Sequence, residues 1–145
     1  MRKTLLASAL LALAVVAYLQ RAAAPPPAAR PTIESSGTSV AAAFERRSRG
    51  VKVQAAGTVA AILPDDVEGE PHQRFLVRVD DGPTVLIAHN IDLAPRVSPL
   101  RTGDRISFSG EYVWNPKGGL VHWTHRDPAG HHEAGWLKHN GQIFQ

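Results

Sequence analysis

The chain has 145 residues, enough for one domain of ordinary size behind a leading segment and too few for two separately cored domains. Cysteine is absent, which excludes disulfides, thiolate metal sites, cysteine nucleophiles and iron–sulfur clusters. The 16 basic residues outnumber the 13 acidic ones, yet residues 51–145 hold 9 Lys or Arg against 11 Asp or Glu, a charge near −2 with histidine neutral, and carry all seven histidines.

Arg2 and Lys3 precede the uncharged apolar run Thr4 to Leu19, the arrangement of an export signal. That run is shorter than the roughly 20 residues a comfortable membrane span needs. The small residues Ala22 to Ala24 are followed at once by Pro25, Pro26 and Pro27, and Arg21 stands where a cleavage site prefers a small side chain. Residues 1–20 are therefore read as a signal peptide or an uncleaved membrane anchor. The body is expected in the periplasm, anchored or secreted, touching membrane only through that segment.

Residues 21–50 read as an Ala/Pro-rich linker, since such a composition cannot bury a core, ending in a short helix over 38–49 closed by Gly50. From Val51 the period becomes two: Val51, Val53, Ala55, Gly57, Val59, Ala61 and Leu63 alternate with polar or small residues, giving one long strand with a bend at Gly57. The second strand covers 72–79 with Phe75, Val77 and Val79 on one side, and the third covers 84–89 after the turn Asp80-Asp81-Gly82-Pro83. Residues 91–100, with two prolines, make a crossing segment. Strand four covers 105–114 with Ile106, Phe108, Gly110, Tyr112 and Trp114 on one face, and strand five covers 120–125. Asn140-Gly141 marks a small hairpin in the tail. Five strands with a long connection between the third and fourth predict an all-β fold, a small five-stranded OB-like barrel over 51–145.

Several stretches in order, His72-Gln73-Arg74-Phe75, the run Leu86 to Pro95, Gly110-Glu111-Tyr112 with Trp114-Asn115, and His122-Trp123-Thr124-His125 with Asp127-Pro128, resemble the bacterial domain-of-unknown-function family 3465. The resemblance covers about residues 51–145. It implies a short exported protein and no activity that can be carried over residue by residue.

Regular hairpins would set His89 opposite Arg74, with His72 two residues along, and Tyr112 opposite His122, leaving Glu111, Trp123 and His125 on the other face. Two clusters follow, His72, Arg74 and His89 in one and Glu111, Trp123 and His125 in the other. His122 reads as a hydrogen-bonded core histidine, His131-His132-Glu133 as a solvated loop, His139 as surface, and Trp114 and Trp136 as core. Trp123, among polar neighbours, needs something to cover it. The ligand surface is expected at His72, Arg74, His89, Trp123 and His125. All five should be partly exposed, because a small barrel can satisfy few buried polar groups.

His122-Trp123-Thr124 matches the His-x-Thr element of two-histidine phosphoesterases, which need a second such element, and none is present. Protease, esterase and nucleotide-hydrolase signatures are also missing. Two classes remain. One is a non-catalytic cell-envelope module that holds an extended ligand, a glycan, a peptide or single-stranded nucleic acid, without a cofactor and with weak or no duplex binding. The other is a metal-dependent hydrolase, a phosphodiesterase or nuclease, with a divalent metal such as zinc held by His89, Glu111 and His125.

Overall fold

The computed structural model describes residues 38–145. The readings of residues 1–20 as signal or anchor and of 21–37 as linker lie outside the described residues. Helix α1 (Val40–Glu45) is followed by seven strands: β1 (Arg49–Asp66), β2 (His72–Val79), β3 (Thr84–Asn90), β4 (Arg105–Val113), β5 (Leu120–His122), β6 (Trp136–His139) and β7 (Gln142–Phe144).

The first five strands close into a barrel in the order β1-β2-β3-β5-β4, with β4 returning to β1. Neighbouring pairs are antiparallel except β3 and β5, which run parallel, Leu86 beside Leu120 and Ile87 beside Val121. Closure depends on the length of β1. Its first half pairs with β4 from Arg49 to Thr58, its second half with β2 from Gly57 to Asp66, and Gly57 pairs with both. The bend expected at Gly57 thus coincides with the change of partner. A register shift just beyond it, between Val59 and Ala61, reverses which side chains point inward. Val53 and Val59 enter the core, whereas Ala61 and Leu63, expected on the same face, lie opposite the outward Leu76 and Arg74. The alternation in the sequence is uninterrupted across this bulge, which is why it conceals the switch.

The core gathers Phe75, Val77, Val85, Ile87, Phe108 and Tyr112 with neighbours from every barrel strand. Tyr112 is buried, and its hydroxyl donates to the Gly118 carbonyl at 2.9 Å; burial pushes its pKa up, so it remains a donor. The hairpin β6–β7 pairs with β4 and adds Leu137 and Phe144 to the same core. Asn140 and Gly141 turn it with positive φ, as expected for this dipeptide.

Helix α1 is shorter than the predicted 38–49. Ser39 caps it by accepting from the Ala42 N–H at 3.2 Å. Arg47, at φ 53°, ends it before Gly50 is reached, and the Ser48 N–H returns to the Ala43 carbonyl. Val40 and Ala43 join the barrel core, so the helix is a packed element of the fold.

Replacing Tyr112 with Phe removes a buried donor and leaves the Gly118 carbonyl without it. The expected cost is about 1–3 kcal/mol, read as a lower urea midpoint with unchanged slope.

Candidate functional site

The sequence-predicted residues occupy three environments. His72 and Arg74 lie on β2, half-buried, with the His72 Nδ1–H donating to the Glu70 carbonyl at 2.7 Å and the Arg74 Nε–H to the Pro64 carbonyl at 3.0 Å. His89 is inside the barrel and fully buried. Trp123 lies just past β5 at 37% exposure, and His125, two residues on, is buried at 3%.

The expectation of partial exposure therefore fails for His89 and His125; for His89 the cause is register, and for His125 it is that β5 ends at His122, three residues short of the predicted strand. Arg78 pairs with Thr84, which sets Gln73, and not Arg74, opposite His89. Val113 pairs with Leu120, which sets Glu111 opposite His122 and Tyr112 opposite Val121. Each hairpin differs by one residue from the regular loop assumed, and one residue moves a whole strand face from outside to inside. His89 thereby joins the buried Gln73, whose amide exchanges two hydrogen bonds with the backbone of Val97. His122 becomes an outward residue with its Nε2 at 3.4 Å from Glu111 Oε1, and not the core histidine expected. His139 is likewise buried, its Nε2 at 3.0 Å from Asp104 Oδ2, where a surface position was expected.

Strand β5 stops at His122 because Trp123 turns into the left-handed region at φ 49°. For a bulky residue this conformation costs on the order of 1–2 kcal/mol. Residues 123–135 then loop out without regular structure before β6 resumes pairing along the same edge of β4 that β5 leaves. Two glycines permit the close approach of the chain here: a Cβ on Gly110 would overlap the His122 carbonyl, and one on Gly135 would overlap the Trp123 carbonyl.

Within this segment the Asp127 carboxylate accepts from the backbone N–H groups of Ala129 (2.8 Å), His131 and His132 (3.2 Å). Burial by itself would push this carboxyl up, but those three donors and nearby His131 together hold it below its ordinary pKa. The fold of the loop lays His132 on Trp123, ring centroids 4.4 Å apart and 7° from parallel, while His122 stacks on the same indole at 4.8 Å and 16°. His125 meets His132 edge-on at 5.2 Å. Imidazoles, one of them from the supposed solvated loop, are thus what covers Trp123.

His89 ties this segment to the interior. Its Nε2–H donates to the Pro95 carbonyl at 3.1 Å, so Nδ1 accepts from the buried Thr124 hydroxyl at 2.8 Å. Burial lowers its pKa from 6.5 to about 4, opposed by the Pro95 carbonyl and reinforced by His125 and His72. His89 of the first predicted cluster thus bonds Thr124, the residue between Trp123 and His125 of the second, while Arg74 and Glu111 stay outside. Both nitrogens of His89 are used, so it has no lone pair left for a metal, and Glu111 lies outside with His122. Among the described residues no three His, Asp or Glu side chains are grouped where they could hold a metal ion.

A model of a family of proteins of unknown function, DUF3465, matches residues 27–145. The chain belongs to this family. It matches no curated protein and no solved structure. The DUF3465 match begins ahead of α1, consistent with the packing of that helix into the barrel core.

Thr124 and Asp127 carry the geometry of this segment, and Thr124 was not among the predicted residues. Asp127-Pro128-Ala129-Gly130 contains a turn signal that points to the loop, whereas nothing local marks Thr124 as the partner of a histidine 35 positions away.

His89→Ala should cost about 1–3 kcal/mol, because Thr124 and Pro95 each lose a buried partner, and not the roughly 0.5 kcal/mol of a surface change. Thermal melts of the variant at pH 7 measure it.

Proposed function

We propose that this DUF3465 protein is a non-catalytic binding module of the cell envelope that holds an extended peptide across the outer face of an OB-type barrel. Two features support the OB reading: the strand order β1-β2-β3-β5-β4 and the parallel β3–β5 pairing. OB barrels bind oligonucleotides and oligosaccharides over the face of strands 2 and 3 and its flanking loops, and the same face is read here for a different polymer.

The observation that carries the proposal is a row of apolar side chains in register on that face. Ala61 pairs with Leu76, Leu76 with Leu86 and Leu86 with Leu120, and all four are partly exposed. On either side of Leu76 along β2 stand Arg74 and Arg78, both outward. Beyond Leu120 the row reaches His122 and Trp123.

The chemistry of this face favours a peptide over the other extended polymers. Glycans and single-stranded nucleic acids are gripped by free aromatic faces, and the Trp123 indole is already engaged by His122 and His132. A leucine row between two arginines suits apolar side chains in a segment that also carries carboxylates.

Leu86→Asp places a charge in the middle of the row at an outward position, where folding tolerates it. Fluorescence polarisation with a library of extended apolar and acidic peptides, beside a DNA 12-mer and a peptidoglycan oligosaccharide, tests the assignment. Peptide binding weakened about tenfold or more by Leu86→Asp is expected. Binding to the oligonucleotide or glycan alone, or peptide binding indifferent to Leu86→Asp, contradicts it.

A further inference from the structure

The segment 123–135 borders the proposed ligand face and carries Trp123, on which His122 of β5 stacks, and two further barrel side chains hold it from outside. His89 meets Thr124 in the interior, and Lys52 of β1 donates to the Ala134 and Glu133 carbonyls, with its Nζ 3.6 Å from Glu133 Oε1. Its remaining order is largely its own: the Asp127 turn, the His125–His132 edge contact and the Gly135 N–H to the His125 carbonyl. A segment with little regular structure and few ties to the core opens at a lower free energy than the barrel beneath it.

We propose that the His89–Thr124 hydrogen bond is an acid-sensitive latch, and that protonation of His89 releases residues 123–135 and frees the Trp123 face at the end of the ligand row. This regulation rests on the reading of that face as the binding surface.

The sign follows from where each proton would sit. In the closed form His89 is sealed under Thr124 and keeps a neutral ring whose Nδ1 accepts. A second proton there finds no carboxylate: the groups whose charge reaches the ring are His125 and His72, both of which repel it. Glu111 is taken up with His122, Asp127 with its own loop and Glu133 with Lys52. With Thr124 lifted away, His89 regains solvent and its ordinary affinity for a proton.

Opening therefore takes up a proton. The closed form is fully favoured above pH 6.5 and loses that advantage as pH falls toward about 4. A difference between 6.5 and about 4 corresponds to a shift in the opening equilibrium of up to about 300-fold. The buried histidine decides the outcome.

Hydrogen–deuterium exchange on the full chain, without any ligand, tests the latch at about pH 7.5 and about pH 5, with rates corrected for intrinsic exchange. Peptides covering 123–135 should lose protection about tenfold or more at the lower pH while β1 and β2 keep theirs. In His89→Gln, which keeps a polar side chain and cannot titrate, the difference should vanish. Should that variant fail to fold, the wild-type comparison still decides: equal protection of 123–135 at both pH values overturns the latch, as does simultaneous loss across β1 and β2. A folded His89→Gln protein with the wild-type pH dependence overturns the role of His89. Since no ligand is present, failure here leaves the peptide-binding reading to its own test.

Discussion

Closure of the barrel through β1 is the constraint from which the other features follow. One strand serves β4 along one half and β2 along the other, so the molecule has a single interior, and each side chain on the five strands is either inside it or outside. An open sheet could accommodate a histidine at an edge. A closed barrel has no edges among its five strands, and His89, on the inward phase of β3, must satisfy both ring nitrogens within reach. Pro95 comes from the crossing that follows β3, and Thr124 from the segment that follows β5. A polar residue inside the barrel thereby fixes the position of irregular chain outside it.

The same segment concentrates local cost. Trp123 takes a strained backbone conformation, two glycines give up side chains to let the chain pass, and one carboxylate is committed to three backbone donors. Strain of this kind persists only where the surroundings over-determine it. Here the surroundings are the imidazoles of His122 and His132 on the indole and the buried bond to His89. The histidine-rich composition is thus used in several ways: one ring buried as a structural acceptor and donor, two as parallel partners of an indole, and one beside Asp104 under the β6–β7 turn.

Much of the fold was legible because it depends on alternation and turn chemistry. The inward phases of β2 and β4, the Asn140-Gly141 hairpin and the single long bent strand are all visible as period two broken by glycine, proline and asparagine. The arrangement of the predicted site residues was less legible. The faces of His89 and His122 depend on two hairpin registers, and composition does not distinguish a turn of one length from the next. His89 moved inside and His122 moved out for that reason, whereas His125 is buried because the chain leaves the strand at Trp123. The Val59–Ala61 bulge was hidden likewise, since Ala61 and Leu63 suit an inward position as well as they suit the outer face beside Leu76 and Arg74.

His89 is held in the barrel interior as a neutral ring, protonated on Nε2 and accepting on Nδ1. Long-range proton–nitrogen correlation NMR on the imidazoles reads this directly. The expected spectrum has an Nδ1 resonance in the range of an unprotonated ring nitrogen, an Nε2 resonance in the range of a protonated one, and no titration as pH passes through 6.5. The opposite tautomer, or a midpoint near 6.5, would contradict it.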